Sequence, residues 1–97
     1  MKGYVIFQED ISDPSAFERY KAMSPRSIAK FGGAFVVRGG QIETLEGEFG
    51  YERVVVIEFP SVEAARSWYV STDYAEAKAL RLRISKGDAI LVQGVEP

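Results

Sequence analysis

The sequence contains neither cysteine nor histidine. Without cysteine the chain can form no disulfide and can offer no thiolate as a nucleophile or metal ligand. Without histidine it lacks the side chain that most often serves as general base, haem ligand or metal ligand. Any chemistry must therefore use Glu, Asp, Tyr, Ser, Lys or Arg, and we expect no metal site and no cofactor.

A strong excess of positive charge and long apolar runs are also missing. The 97 residues carry 12 basic and 14 acidic side chains, which gives a net charge of −2. Binding to a phosphate backbone needs a concentrated positive field, so we expect no nucleic acid partner. No apolar run approaches the roughly 20 residues that cross a bilayer, and acidic residues follow the first apolar stretch too soon for a secretory signal. We therefore expect no membrane association and a cytoplasmic location.

The length of the chain predicts a single domain over residues 1–97, because one core typically serves roughly 100 to 150 residues. A domain of this size buries only about two thirds of the surface of its unfolded chain. Its stability is then marginal, and association with a second copy is favourable.

Four segments are rich in β-branched or aromatic residues and are predicted to be strands. They are residues 4–8, 34–38, 53–59 and 89–93. The third is almost continuously apolar, which is typical of a central strand that is covered on both faces. Between the second and third strands, residues 41–52 carry four glutamates and are predicted to form a connection with an acidic surface.

Two helical segments separate the strands. The first begins at Asp13-Pro14, since an acidic cap and a proline in the first turn both favour a helix start. It ends at Gly32-Gly33, and Pro25 inside it predicts a kink or a break. The second begins after Pro60, is interrupted at residues 71–73 and continues to about residue 85. A turn at Gly87-Asp88 then leads into the last strand.

The order β, α, β, β, α, β predicts an α+β, ferredoxin-like fold, in which a four-stranded antiparallel sheet carries the helices on one face. We expect the first and third strands to be central and parallel neighbours. The opposite face of the sheet has no helix, so its apolar side chains need another cover. A second copy of the sheet packed face to face is the simplest cover, and we predict a homodimer that forms a dimeric α/β barrel.

Several short strings match one protein family in order and spacing across residues 4–94. They are Gly32-Gly33, Arg38-Gly39-Gly40, Glu46-Gly47, Val56 to Ser61, Ala65 with Trp68-Tyr69, Ser71 with Tyr74, and Leu80-Arg81. With these strings the chain resembles the domain-of-unknown-function 1330 family, a branch of the dimeric α/β-barrel superfamily. The resemblance implies the fold and the dimer, and it implies no particular reaction.

The wider superfamily, by resemblance, includes cofactor-free monooxygenases, haem-degrading enzymes, muconolactone-type isomerases and ligand-binding domains of regulators. Haem-dependent members typically rely on histidine, and this chain has none. Members of the smaller family often carry a histidine just before the glycine pair, where this chain has Phe31. If that histidine acts as an acid or base in other members, this protein cannot perform the same step with Phe31.

Glu58 interrupts the apolar third strand and is the candidate catalytic residue. It lies near the carboxyl end of a central strand, where ligands gather when neighbouring strands are parallel. A carboxylate in an apolar wall has a raised pKa and can act as a general acid or base. The alternative is a structural ion pair, for which Arg38 and Arg81 are the expected partners, because guanidinium binds carboxylate through two parallel bonds.

Candidate ligand contacts are arginines and residues near the interruption of the second helix. A guanidinium that points into a cavity can bind the carboxylate or phosphate of a small ligand. Hydroxyls near the interruption can orient a ligand oxygen, or else the aromatics fill the core and Ser71 caps a helix. The candidates are Arg38, Arg81, Trp68, Tyr69, Ser71 and Tyr74, with Tyr4 and Ile6 completing the wall of a pocket between sheet and helices.

Two functions remain open from the sequence. The first is a homodimer that binds a small polar or anionic organic ligand in each subunit, with proton transfer or cofactor-independent oxygenation as candidate reactions. The second is a non-catalytic dimeric module for sensing or scaffolding, without a ligand pocket. The first predicts a cavity of roughly a few hundred Å³ bordered by Glu58 and the arginines, and the second predicts that these groups pair with other protein groups.

Overall fold

The computed structural model of the chain describes residues 1–96. Its elements follow one another with short connections, except for a long irregular segment between the second and third strands. In chain order they are β1 (Gly3–Ile11), α1 (Pro14–Lys30), β2 (Ala34–Arg38), β3 (Arg53–Phe59), α2 (Val62–Tyr69), α3 (Thr72–Ile84) and β4 (Ser85–Gln93).

The four strands form one sheet in the order β2-β3-β1-β4, and all three neighbouring pairs are antiparallel. The predicted α+β, ferredoxin-like fold is thereby confirmed. The central strands β1 and β3 pair antiparallel, with Tyr4 opposite Glu58, so the expectation that they are parallel neighbours is wrong. The reason is topological: β1 and β2 run in the same direction, and β3 reverses after β2 to insert between them.

Helix α1 begins as predicted and runs through its proline. The Asp13 carboxylate accepts a hydrogen bond from the backbone N–H of Ala16 at 3.1 Å, and Gly32 follows the helix in a left-handed conformation with φ of 79°. The expected break at Pro25 does not occur, because the helix continues to Lys30.

A guanidinium compensates for the hydrogen bond that Pro25 removes. A proline leaves the carbonyl four residues earlier without its helical partner, and here that carbonyl belongs to Lys21. Arg38 Nη2 donates to the Lys21 carbonyl at 3.0 Å. The Arg38 side chain on β2 thus connects the middle of α1 to the sheet.

At the interruption between α2 and α3, Ser71 is a helix cap, which is the alternative that the sequence leaves open for this residue. Ser71 Oγ donates to the carbonyl of Trp68 at 2.7 Å and accepts from the N–H of Tyr74 at 3.2 Å. One hydroxyl therefore serves both the end of α2 and the start of α3.

Two strands are longer than predicted. β1 continues through Glu9 and Asp10 to Ile11, and β4 begins directly after α3, at Ser85. Gly87, which was predicted to lie in a turn, pairs with Glu9 inside β4. A Cβ atom at this position would overlap the backbone carbonyl of Gln8, so the glycine allows β4 to approach β1 closely.

The sheet has one covered face and one open face. The side chains that alternate through Val5 and Phe7 on β1, and through Val55, Ile57 and Phe59 on β3, are buried under the helices. Trp68 and Tyr74 complete this core and are fully buried. The open face, which no helix of residues 1–96 covers, carries Tyr4, Ile6, Val54, Val56, Glu58, Ile90 and Val92, all of them half-buried or exposed.

Candidate functional site

Glu58 lies on the open face of the sheet, because it alternates with the buried residues Ile57 and Phe59. Its Oε1 atom accepts hydrogen bonds from Lys2 Nζ and from the Tyr4 hydroxyl, each at 3.0 Å. These two bonds, that of Lys2 first, lower the pKa of Glu58 below its ordinary value. The expected ion pair with Arg38 or Arg81 is wrong, since those arginines lie on the helix side of the sheet.

Among residues 1–96, the buried carboxylate side chain is that of Glu9. It follows Val5 and Phe7 at two-residue steps on β1, so it points beneath the helices, and only 2% of it is exposed. Its Oε2 atom lies 3.5 Å from Arg53 Nε. Burial raises the pKa of Glu9, and the positive charges of Arg81 and Arg53 oppose that rise.

A second buried charge, Arg81, faces the same interior from α3. Only 6% of Arg81 is exposed, and its guanidinium lies over the ring of Phe7, 4.5 Å from the ring centroid. Its Nε atom donates to the Tyr74 hydroxyl at 3.2 Å. The Tyr74 hydroxyl in turn lies 2.7 Å from that of Tyr20. We call Glu9, Arg53, Arg81, Tyr20 and Tyr74 the Glu9 cluster.

Aromatic packing holds the tyrosines of the Glu9 cluster in place. Tyr74 stacks on Trp68 with ring centroids 4.0 Å apart, and Trp68 Nε1 donates to Ser27 Oγ at 3.0 Å. Burial raises the pKa of Tyr20 and of Tyr74. Both phenols are therefore neutral hydrogen-bonding groups at physiological pH.

Three polar atoms of the cluster have no hydrogen-bond partner within residues 1–96, although they are buried. They are Glu9 Oε1, Arg53 Nε and Arg81 Nη2. An unpaired buried polar group costs about 1–3 kcal/mol, and folded proteins satisfy most such groups with protein, water or ligand atoms. The cluster also holds two guanidinium groups against one carboxylate, so its charge favours an anion.

A small cavity lies beside Glu9 and Arg53, between the sheet and α1. Its volume is about 10 Å³, enough for about one water molecule. It is bordered by Glu9, Tyr20, Ser24, Arg38 and Arg53 and by the apolar residues Phe7, Phe17, Phe35, Val55 and Ile57. The sequence predicts a cavity of a few hundred Å³ bordered by Glu58 and Arg81. That prediction is wrong for this site, because the observed cavity is far smaller and neither residue borders it.

An open basin of about 310 Å³ lies on the surface and is lined by Lys21, Arg38 and Arg53. Arg38 and Arg53 border both the basin and the cavity. Each guanidinium also lies over an aromatic ring of the cavity wall: Arg38 over Phe35 at 4.2 Å, and Arg53 over Phe17 at 4.7 Å. The basin is thus lined by three cationic side chains, two of which also border the buried cavity.

The remaining candidates are divided among other places. Trp68 and Tyr74 belong to the core around the Glu9 cluster, and Ser71 caps α3. Tyr69 borders a separate, mainly apolar pocket of about 170 Å³ between α2 and β4. Tyr4 and Ile6 cannot share a wall with Trp68, because they lie on the open face.

Two sequence signals identify the Glu9 cluster in retrospect. Two-residue alternation from Val5 and from Val55 places Glu9 and Arg53, respectively, on the helix side. The pattern alone does not single out these two residues, because charged residues at strand ends usually face solvent. Within residues 1–96, no group of three or more acidic side chains is arranged to hold a metal ion, and no helix of that part of the chain has the length and apolar character of a membrane span.

The antiparallel four-stranded sheet with its helices on one face places the chain in the ferredoxin-like fold class. In this chain a polar cluster lies beneath the helices. The chain belongs to the family described as Domain of unknown function (DUF1330), whose model matches residues 2–95. The resemblance drawn from the sequence is thereby confirmed. No functionally curated protein matches the chain significantly in sequence.

Solved structures share the fold at low sequence identity. A protein of unknown function from Rhodopseudomonas palustris has a TM-score of 0.77 at 19% identity, over 99% of this chain and 84% of that one. A dimeric ferredoxin-like protein of unknown function from Thermobifida fusca has a TM-score of 0.58 at 19% identity, over 99% and 92%. SnoaB, a cofactor-independent oxygenase from Streptomyces nogalater, has a TM-score of 0.57 at 16% identity, over 99% and 95%.

Proposed function

We propose that the protein binds a small anionic organic ligand between its sheet and α1, at the Glu9 cluster. The observation that carries this proposal is that two guanidinium groups, of the buried Arg81 and the half-buried Arg53, face the one carboxylate of Glu9, while Arg53 Nε and Arg81 Nη2 have no hydrogen-bond partner. Desolvated donors of this kind bind carboxylate or phosphate oxygens strongly. A bound anion would neutralise the excess charge and pair at least one of the unpaired donors.

The ligand enters through the cationic basin. Lys21, Arg38 and Arg53 concentrate positive charge at the mouth of the site, which raises the local concentration of anions. Because the cavity behind them holds about one water, binding requires movement of Arg53 towards the basin. Its 3.5 Å separation from Glu9 is longer than an ordinary hydrogen bond, so this movement breaks the contact with the Phe17 ring but no hydrogen bond to Glu9.

If the protein is an enzyme, the structure favours Glu9 over Glu58 as the acid-base residue. Glu9 borders the cavity and has a raised pKa because it is buried. Glu58 is paired with Lys2 and Tyr4 on the other face, and its pKa is lowered. Cofactor-independent oxygenation is known for SnoaB, which shares the fold, and proton transfer needs only a carboxyl group of suitable pKa.

The test is calorimetric titration of the full chain with a panel of small carboxylates and inorganic phosphate. We expect saturable binding that Arg53→Met weakens by about tenfold or more, since it removes a charge-assisted hydrogen bond. Arg26→Met is the matched control, because Arg26 is exposed on α1, and Glu58→Gln should also leave the affinity unchanged. Equal affinities for Arg53→Met and Arg26→Met would refute the site, and loss of binding in Glu58→Gln alone would return the role to Glu58.

We further propose that the protein is a homodimer through the open face of its sheet. That face exposes an apolar surface that extends to the edge strand β4, where Ile90 is 52% exposed and Val92 40%. Large apolar patches of this kind mark interfaces, and a twofold axis would let the same patch cover itself. The Thermobifida fusca neighbour is described as dimeric, which supports the proposal.

Native mass spectrometry at micromolar concentration tests the dimer. Ile90→Lys should convert it to a monomer, because the substitution places a charge on the open face. Leu82→Lys is the matched control: Leu82 is similarly exposed, at 59%, but lies on α3. A monomeric wild-type protein, or a dimer that only Leu82→Lys disrupts, would overturn this arrangement.

The alternative function, a non-catalytic dimeric module for sensing or scaffolding, is favoured by one observation. The cavity at the Glu9 cluster is closed to anything larger than about one water. On this alternative the dimer persists while no small acid binds. The titration and the mass spectrometry together therefore separate the two functions.

A further inference from the structure

The cavity at the Glu9 cluster presents one unpaired acceptor next to an unpaired donor. Glu9 Oε1 and Arg53 Nε are both buried without a partner in residues 1–96, and both residues border the cavity. The two side chains are neighbours, since Glu9 Oε2 lies 3.5 Å from Arg53 Nε. A complementary ligand must therefore offer an acceptor and a donor on adjacent atoms.

A simple carboxylate does not meet this requirement. Its oxygens accept hydrogen bonds from the guanidinium groups, but they bring a second negative charge towards Glu9 and leave Oε1 unpaired. An ammonium group next to the carboxylate would pair Oε1, but it would add a positive charge where two guanidinium groups already face one carboxylate. A neutral hydroxyl on the carbon next to the acid group pairs Oε1 without changing the charge.

We propose that the ligand is a small 2-hydroxy acid, whose carboxylate binds Arg53 and Arg38 and whose hydroxyl donates to Glu9 Oε1. This inference rests on the proposed function, since it specifies the ligand of the same site. Glu9 is then the residue that selects for the hydroxyl, and the arginines supply the affinity for the acid.

Movement of Arg53 provides the space that such a ligand needs. Arg53 borders both the cavity and the basin, and the basin offers about 310 Å³ of open space. The wall behind it is made by the rings of Phe7, Phe17 and Phe35, which stay in place when a flexible side chain rotates. From the basin side Arg53 can still reach the ligand carboxylate, so the same residue admits the ligand and binds it.

The test compares 2-hydroxypropanoate, propanoate and 2-aminopropanoate, which differ only in the group next to the carboxylate. Each is titrated into the full chain and followed by backbone amide chemical shifts. We expect 2-hydroxypropanoate to bind at least about tenfold more tightly than propanoate, because only its hydroxyl can donate a hydrogen bond to the buried, charged Glu9. Saturable shifts should centre on β1, β3 and α1.

Glu9→Leu distinguishes ligand selection from a structural role. It should weaken 2-hydroxypropanoate and strengthen propanoate, because the acceptor and the repelling charge are lost together. A purely structural role would change both affinities in the same direction. If Glu9→Leu does not fold, Glu9→Gln replaces it and should reduce the preference for the hydroxyl, with Glu76→Gln on the exposed side of α3 as control.

The possible failures of this test are distinct. If none of the three acids, the carboxylate panel or phosphate gives saturable binding, the proposed function fails and the ligand class fails with it. If propanoate binds as tightly as 2-hydroxypropanoate, the anion site stands and the hydroxyl assignment is overturned. Tighter binding of 2-aminopropanoate than of either would likewise overturn it, in favour of an amino acid ligand.

Discussion

Removal of the Tyr74 hydroxyl should destabilise the protein far more than removal of the Tyr20 hydroxyl. The two hydroxyls are 2.7 Å apart and both residues are buried, but they have different partners. Tyr74 also accepts a hydrogen bond from Arg81 Nε at 3.2 Å. Tyr74→Phe therefore takes the acceptor away from a buried charge, whereas Tyr20→Phe does not.

The structure gives the size of each effect. Tyr20→Phe removes one hydrogen bond between neutral groups and should cost about 1 kcal/mol of unfolding free energy. Tyr74→Phe loses the same bond and also leaves Arg81 Nε unpaired, at a further cost of about 1–3 kcal/mol, so the total is roughly 2–4 kcal/mol. The ring that stacks on Trp68 is kept in both variants, so no cavity contributes.

Urea denaturation followed by circular dichroism measures these differences, with all variants at one protein concentration because a dimer would make stability concentration-dependent. In the Tyr74→Phe background, Tyr20→Phe should cost less than it does alone, since its partner is already gone. Equal costs for the two single variants, or strict additivity in the double variant, would refute the hydrogen-bonded chain from Arg81 through Tyr74 to Tyr20.

Three further predictions concern stability. Burial raises the pKa of Glu9 above the ordinary 4.5, so the folded state favours the protonated form and loses that contribution as the pH rises through the raised pKa. The unfolding free energy of Glu9→Gln, relative to wild type, should therefore improve as the pH rises above the ordinary value. A constant difference in urea titrations across this rise would contradict the raised pKa. Gly87→Ala should cost more than about 1 kcal/mol, because a Cβ atom there overlaps the backbone of β1, while Gly40→Ala, with open space around it, should be within error in the same assay. Arg38→Met should lower the unfolding free energy by about 0.5–1 kcal/mol. The loss should be smaller in a Pro25→Ala background, because there a helical N–H can replace the guanidinium as donor to the Lys21 carbonyl. Equal losses in both backgrounds would show that this hydrogen bond contributes nothing.

Much of the fold was predictable because the signals for it are local. The cap at Asp13, the hydroxyl of Ser71 and the glycines after α1 act on atoms within a few residues of themselves, and the structure has each element where these residues place it. The bounds of β1 and β4 were not predictable in the same way. β4 begins at Ser85 because it pairs with β1, and that pairing overrides the turn preference of Gly87-Asp88.

The candidate site was only partly predictable. The sequence offers Arg81, Tyr74 and Trp68 as candidates near a pocket between sheet and helices and Glu58 as its carboxylate, whereas the structure places Glu58 on the open face. Alternation along β3 requires Glu58 and Ile57 to face opposite sides, yet nothing local says which side the helices cover. The partner of Arg38 was also hidden, since the Lys21 carbonyl becomes available only because Pro25 lies within a continuous helix.

The sequence by itself determined the order of the elements, their caps, the ferredoxin-like class and the lack of histidine and cysteine chemistry. These follow from side-chain periodicity and backbone preferences, which depend on residues a few positions apart, and from composition, which depends on no contact at all. Only the tertiary structure decided which carboxylate is buried and which guanidinium groups face it. Burial and charge pairing depend on residues brought together from β1, β3 and α3, and so the Glu9 cluster exists only once the sheet has acquired its helix layer.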